Sequence, residues 1–139
     1  MERERMSEGE HDPRRRKVVR RHTDLEVFER AVAVAMRVFA VSKAFPAAER
    51  FALTDQVRRA SRSVAANLAE GWRKHCYPAA FVAKLGDAEG EAAETQVWLQ
   101  FAVSCGYLAP ETARPLYSEY DEIIGMLVRM ITRPEDWTL

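Results

Sequence analysis

The sequence predicts an all-α protein, an antiparallel up-down-up-down four-helix bundle with a flexible basic N-terminal tail. Apolar residues recur at steps of three and four along four segments of about 20 residues each. Connections of about four to ten residues join these segments, which favours antiparallel neighbours. No segment alternates apolar and polar residues over the length of a half-buried strand, so strands are not expected.

The first helix is predicted over about 25–44, after a tail. Residues 1–23 contain too few large apolar side chains to offset the entropy of ordering the chain, which predicts disorder. Apolar residues recur at helical spacing from Leu25 onward. Asp24 is a candidate N-cap, and Pro46 accounts for the stop because proline disfavours helical geometry in the preceding residue.

The second helix is predicted over about 54–74. Thr54 is its candidate N-cap, and Asp55 is placed favourably at the positive end of the helix dipole. Its apolar stripe consists of Leu53, Val57, Ala60, Val64, Leu68 and Trp72.

The third helix, over about 78–104, is predicted to be the longest. Pro78 suits a first helical turn, and Gly106 is the expected terminator because glycine enters the left-handed conformation without steric cost. Its stripe repeats every seven residues and consists of Phe81, Leu85, Ala88, Ala92, Thr95, Leu99 and Ala102.

The fourth helix is predicted over about 111–132, where Pro115 allows two alternatives. Proline inside a helix removes a main-chain donor and clashes one turn back, so the helix either kinks at Pro115 or begins near it. The bundle then covers residues 24–133, and residues 134–139 form a C-terminal tail.

Charge is unevenly distributed, although 21 Lys and Arg balance 21 Asp and Glu. Residues 1–23 carry eight basic and five acidic side chains, residues 53–74 carry five and two, and residues 75–139 carry four and ten. One cationic and one anionic region are therefore expected, and local fields of this kind steer partners.

Cysteine content and hydropathy predict a cytoplasmic protein. Cys76 and Cys105 fit neither a C-x-x-C pair nor a disulfide framework, so reduced thiols are expected. The N-terminus lacks the apolar run of a signal peptide, and charged residues interrupt every apolar stretch before it reaches the length of a membrane span.

Three stretches carry a family resemblance: LTDQVRRASRSVAANLAEG over 53–71, ETQVWLQFAVSCGYL over 94–108, and the opening LEVFERAVAVAMRVFAVSKAFP. Over about residues 24–132 the chain resembles the four-helix-bundle proteins encoded in intervening sequences of bacterial 23S rRNA genes. These are relatives of the accessory variability determinant proteins of diversity-generating retroelements. The chain departs from the family at Ala65 and Ala66, which replace a proline often found before Asn-(Ile/Leu)-Ala-Glu-Gly, so a kink there is less expected.

The resemblance implies a bundle that is not an enzyme, is often a homopentamer, and has a basic surface. In the retroelement branch that surface is associated with nucleic acid and a reverse transcriptase. Neither a cofactor nor a membrane partner is implied.

A polar stripe follows the second helix at steps of four, four and three residues and is formed by Arg59, Ser63, Asn67 and Glu70. Glu91 and Glu94 of the third helix are candidate acceptors for the arginines. We interpret these six residues as a structural network that sets helix register or subunit packing, since buried ion pairs are best attested in that role. Replacing Glu70 by alanine is therefore expected to destabilise the fold or the assembly.

Basic residues predict a nucleic-acid interface. Such residues neutralise phosphates and release counterions, although a tail of this kind can also serve solubility alone. The candidates are Arg14, Arg15, Arg16, Lys17, Arg20 and Arg21 in the tail and Arg58, Arg62, Arg73 and Lys74 on the second helix. The leading hypothesis is an oligomeric bundle that binds RNA, DNA or a nucleic-acid-processing partner. The alternative is a structural or protein–protein interaction module.

Catalytic and metal sites are not predicted. No Glu-x-x-His pair occurs, the three histidines His11, His22 and His75 lie in the tail or a loop, and nucleophile and phosphate-loop motifs are absent. Trp72 and Trp98 lie at or beside apolar stripes and are expected to pack in the core. Trp137 could dock in its own bundle, in a neighbouring subunit or in a partner.

Overall fold

Four α-helices make up most of residues 18–137, the part of the chain that the computed structural model describes. They are α1, Glu26–Ser42; α2, Asp55–Arg73; α3, Pro78–Ser104; and α4, Pro110–Thr132. Each end lies within two residues of the range expected from the sequence. This part of the chain contains no strand, which confirms the all-α prediction with four helices.

The beginnings of α1 and α2 differ from the expected caps. Asp24 belongs to a short 3-10 helix before α1, and its carboxylate accepts from the main-chain N–H groups of Arg20 and Arg21 at 3.0 and 3.1 Å. Leu25 is the residue at the N-cap of α1. The expectation for Asp24 is wrong because the residues before α1 form a turn of their own, and the Asp24 carboxylate accepts the main-chain hydrogen bonds of that turn.

Thr54 precedes α2 but does not cap it through its hydroxyl. A π-helical turn, Arg50–Thr54, leads directly into α2, and Thr54 has helical dihedral angles, φ −61° and ψ −50°. Main-chain hydrogen bonding therefore continues across the boundary, and no side-chain acceptor is needed there. The Thr54 hydroxyl is buried without a hydrogen-bond partner in the described part of the chain.

The core lies where the apolar stripes of the four helices meet. Phe81, Leu85 and Tyr120 are completely buried, together with most of the residues that the helical spacing identifies. α2 and α3 share the most extensive helix contact. Gly71 allows this approach, because a Cβ atom at that position would lie 3.1 Å from the Cβ of Lys84.

Glycine and proline act differently at the ends of α3 and α4. Gly106 has φ +79° and follows α3, while the N–H groups of Tyr107 and Leu108 return to the Ala102 carbonyl at 2.9 and 3.2 Å. The terminator role is confirmed. α4 begins at Pro110 and continues through Pro115, so the alternative in which it begins near Pro115 is wrong.

Both described ends of the chain meet at Trp72. Its indole N–H donates to the Arg20 carbonyl at 3.3 Å, and the ring of Trp137 stands edge-on to it at 6.5 Å between centroids. Residues 18–23, expected in the tail, thus contact the bundle, and Trp137 docks on its own bundle. The expectation of disorder for residues 1–17 lies outside the described residues. None of the helices described here is long and apolar enough to cross a membrane.

Candidate nucleic-acid interface

Three cations surround one aromatic ring where the end of α1 meets the start of α2. The Arg58 guanidinium carbon lies 4.7 Å from the centroid of the Phe39 ring, the Lys43 ammonium 4.9 Å and the Arg62 guanidinium carbon 5.6 Å. We call Phe39, Lys43, Arg58 and Arg62 the Phe39 cluster. Cations are attracted to the negative face of an aromatic ring, so Phe39 holds like charges near a single point.

Arg58 is held in place by a buried hydroxyl. Its Nε–H donates to the Ser42 Oγ at 2.8 Å, and that hydroxyl donates to the Phe39 carbonyl at 2.8 Å. Ser42 is only 1% exposed. The guanidinium therefore has a defined orientation, and its two terminal nitrogens have no hydrogen bond with any described residue.

No ion pair with a described acid offsets the charge of this cluster. No carboxylate within residues 18–137 forms an ion pair with Lys43, Arg58 or Arg62. Asp55 lines the same shallow depression of about 430 Å³ as Arg58 and Arg62 but forms no salt bridge with them. The result is a region of positive potential on the α1–α2 surface.

The other predicted basic residues divide into two sets. Arg73 and Lys74 are exposed at the end of α2, and the contact of Trp72 with the Arg20 carbonyl brings Arg20 and Arg21 to the same end. The set at the end of α2 lies about 16 Å along that helix from Arg62. Arg14, Arg15, Arg16 and Lys17 lie outside the described residues.

The opposite side of the molecule is acidic. α3 carries one basic residue, Lys84, and four acidic ones, Asp87, Glu89, Glu91 and Glu94. α4 carries Arg114 and Arg129 against Glu111, Glu119, Asp121 and Glu122. The charge asymmetry expected from the sequence is thus distributed between helix pairs, with α1–α2 cationic and α3–α4 anionic.

Residues of the polar stripe of α2 make separate contacts with their own neighbours. Glu70 pairs with Lys84 of α3 at 2.8 Å, and the hydrogen bond from Lys84 lowers the pKa of Glu70. The Asn67 amide donates to the Ser63 carbonyl of its own helix at 2.9 Å. Sequence spacing alone did not identify Lys84, which faces Glu70 only because α2 and α3 pack closely at Gly71.

The two acids expected to accept from the stripe lie half-buried on α3. Burial, followed by the neighbouring Glu94, raises the pKa of Glu91, whereas the charge of Arg59 acts in the opposite direction. Glu94 accepts from the indole N–H of Trp98 at 3.3 Å. Arg59 thus acts on Glu91 electrostatically across the α2–α3 interface, while Glu94 is bonded within α3.

The sequence was compared with known families and solved structures. Residues 23–129 match the family described as 23S rRNA-intervening sequence protein. The chain belongs to this family. Its fold is similar to the crystal structure, at 1.70 Å resolution, of a protein with unknown function from the S23 ribosomal protein family of Bacteroides thetaiotaomicron VPI-5482. The two are 26% identical, the match covers 76% of this chain and 97% of that chain, and the TM-score is 0.69. No curated protein matches the sequence.

A further depression lies between the end of α3 and the start of α4. It has a volume of about 600 Å³ and a mainly apolar lining that includes Val97, Phe101 and Tyr117. Arg114 is its one charged lining residue. Paired acids that could exchange protons with a substrate do not line it.

His75 and Cys76 lie in the connection between α2 and α3. No three His, Cys, Asp or Glu side chains between residues 18 and 137 converge on a point that could hold a metal ion. His75 stacks on Trp72 at 4.3 Å between centroids and bonds to the Trp72 carbonyl at 2.7 Å. The Cys76 sulfur lies 3.7 Å from the other imidazole nitrogen and is exposed.

Proposed function

We propose that this intervening-sequence protein is a non-enzymatic, oligomeric helical bundle that binds nucleic acid through its α1–α2 surface. The observation that carries the proposal is the separation of charge: the cations around Phe39 form no ion pair with a carboxylate of residues 18–137, whereas acids dominate α3 and α4. We take the four helices to run antiparallel in up-down-up-down order, so that α1 and α2 share one surface of the bundle.

The physical basis is neutralisation of phosphates. A cationic surface that replaces the counterions of a nucleic acid gains the entropy of their release, and this gain does not depend on base sequence. Arg73 and Lys74, with Arg20 and Arg21 beside them, extend the surface toward the other end of α2. A nucleic-acid strand that lies along α2 would therefore contact positive charge near both ends of that helix.

Assembly is the second part of the proposal. The family resemblance favours a homopentamer, and exposed apolar side chains such as Met36 at 60% and Phe101 at 51% provide surface that subunit contacts would cover. Repetition of the basic surface in an oligomer increases affinity through multivalency. The resemblance to retroelement accessory proteins adds a reverse transcriptase in the bacterial cytoplasm as a candidate partner.

Binding of labelled RNA and DNA to the full chain, measured by fluorescence anisotropy, tests the proposal. We expect affinity to fall about 100-fold between roughly 50 and 200 mM salt if four phosphates are neutralised. Deleting residues 1–17 keeps the contact of Arg20 with Trp72 and should lower the salt dependence. Absence of binding to RNA and DNA at 50 mM salt would refute the proposal.

A protein–protein interaction module is the alternative, and the apolar depression between α3 and α4 favours it. Phe101 is half-exposed there beside Trp98, at 5.9 Å between ring centroids. Both functions allow Phe101 to lie in a subunit contact, so nucleic-acid binding by the full chain separates them, and light scattering of the Phe101→Ser variant tests the contact. The alternative gains support if Phe101→Ser changes the mass of the assembly and the unmodified chain binds no nucleic acid.

A further inference from the structure

The Phe39 cluster has a property that general basic character does not explain, the convergence of three charges on one ring. Side chains of Lys43, Arg58 and Arg62 could extend into solvent, where like charges separate. Instead all three lie within 5.6 Å of the Phe39 centroid. The attraction of each cation to the ring offsets part of their mutual repulsion.

One of these cations is also preorganised for an oxyanion. Arg58 uses its Nε–H on the buried Ser42 hydroxyl, at 2.8 Å, which leaves both terminal nitrogens of the guanidinium for a ligand. A guanidinium presents parallel N–H groups that match two oxygens of a phosphate. Since the Ser42 bond fixes the side chain in advance, binding loses less conformational freedom at Arg58 than at a mobile surface arginine.

Charge balance points to the class of ligand. Three cations meet, and no carboxylate of residues 18–137 is paired with any of them. A phosphate group brings negative charge together with several acceptor oxygens and can contact more than one of the cations at once. A carboxylate offers only two acceptor atoms on one carbon, and a chloride ion offers no bidentate geometry.

We infer that the Phe39 cluster is a discrete phosphate-binding site, with Arg58 as the oriented donor and Lys43 and Arg62 as flanking charges. Phe39 gathers the cations and does not stack on bases, because the cations lie against its ring. Contacts at this site are therefore made to the phosphate alone and carry no base preference. The inference rests on the proposed function for the source of the phosphate, which is either an internal phosphodiester or the terminal phosphate of a strand.

Titration of the full chain with inorganic pyrophosphate tests the site without nucleic acid. The Nε–H signals of the arginines are followed by NMR. We expect the Arg58 signal to move and saturate, Arg62→Gln to weaken binding about five- to tenfold, and Phe39→Leu to weaken it about two- to fivefold. The control Arg129→Gln makes the same change of charge on α4 and should have no effect.

The site is refuted if the Arg58 signal moves no more than that of Arg129, or if Arg62→Gln and Arg129→Gln bind pyrophosphate equally. Far-UV circular dichroism of each variant confirms that it is folded. If pyrophosphate binds at Arg58 but no RNA or DNA binds, the proposed function fails and the phosphate site stands.

The source of the phosphate is settled by two otherwise identical oligonucleotides, with and without a 5′-phosphate. Tighter binding of the phosphorylated strand that Arg62→Gln abolishes identifies a terminal phosphate. Equal binding of both strands, weakened in both by Arg62→Gln with a salt slope smaller by about 1, identifies an internal phosphodiester. If Arg62→Gln weakens neither strand more than Arg129→Gln does, the cluster does not contact the nucleic acid, and the assignment of its phosphate to a nucleic acid is wrong.

Discussion

Arg30 of α1 and Glu119 of α4 form a bidentate salt bridge. The Arg30 Nε–H donates to one carboxylate oxygen of Glu119 at 3.0 Å, and a terminal nitrogen donates to the other oxygen. The contact between α1 and α4 is the least extensive of the four main helix contacts. We predict that Arg30→Gln lowers the free energy of unfolding measurably, because little other packing compensates at this interface.

The expected size follows from the exposure of the pair. Hydrogen bonds to charged groups contribute about 1.5–3 kcal/mol when they are buried, and fully exposed pairs contribute about 0.2–1 kcal/mol. The Arg30 and Glu119 side chains are 31% and 21% exposed. An intermediate loss of about 1–2 kcal/mol is therefore expected, which corresponds to a Tm lower by roughly 3–8 °C.

The pH dependence of this loss of stability shows whether the Arg30–Glu119 pair causes it. The hydrogen bond from Arg30 lowers the pKa of Glu119, although burial acts in the opposite direction. A carboxylate with a lowered pKa in the folded state stabilises the fold above its unfolded pKa, and this contribution is lost as pH falls through the folded pKa. The difference between the unmodified protein and Arg30→Gln should therefore be largest at pH 7 and should shrink near pH 3.

Urea denaturation followed by circular dichroism at both pH values measures the effect. Arg129→Gln is the matched control, since Arg129 is exposed and forms no ion pair with a described residue. Equal stability of Arg30→Gln and Arg129→Gln at pH 7, or a difference that persists unchanged at pH 3, would refute the reasoning.

Four further substitutions test packing and polarity. Glu70→Gln should change the urea midpoint only slightly, because the Glu70 side chain is 58% exposed in its ion pair with Lys84, and a large loss would contradict this. Tyr120→Phe should change stability by less than about 1 kcal/mol in the same assay, because the buried hydroxyl lies near the Ser61 and Thr95 hydroxyls without a hydrogen bond of good geometry to either; a larger loss would show that one of these contacts is a full hydrogen bond. Gly86→Ala should raise Tm, because a Cβ there meets open space and alanine favours a helix by about 1 kcal/mol. Gly71→Ala should lower it through the contact with the Lys84 Cβ, and the opposite order of the two glycine variants would contradict the packing.

Local interactions made the helices predictable. Pro78 occupies the first turn of α3, Gly106 follows its end with a positive φ, and both effects depend on the residue and its immediate neighbours. Apolar spacing identified the buried faces of α2 and α3 for the same reason, since residues three and four apart share a side of any α-helix. Leu68 and Leu85 could therefore be assigned to the core from the sequence alone.

Helix caps were less predictable, because they depend on the path of the chain outside the helix. Asp24 has the right chemistry for an N-cap, but the preceding residues turn back and supply their own N–H groups to it. Thr54 also has suitable chemistry, but a helical turn already precedes α2. Neither path follows from the local sequence.

Composition and periodicity by themselves determined the all-α fold, the positions of the four helices and the uneven charge of this protein. The tertiary structure decided which charges meet. Arg58 and Arg62 could be recognised as basic residues of α2, but Phe39 and Lys43 join them only because the end of α1 packs against the start of α2. Contacts within a helix repeat at known intervals, whereas the rotation and offset between two helices depend on how all their side chains pack together.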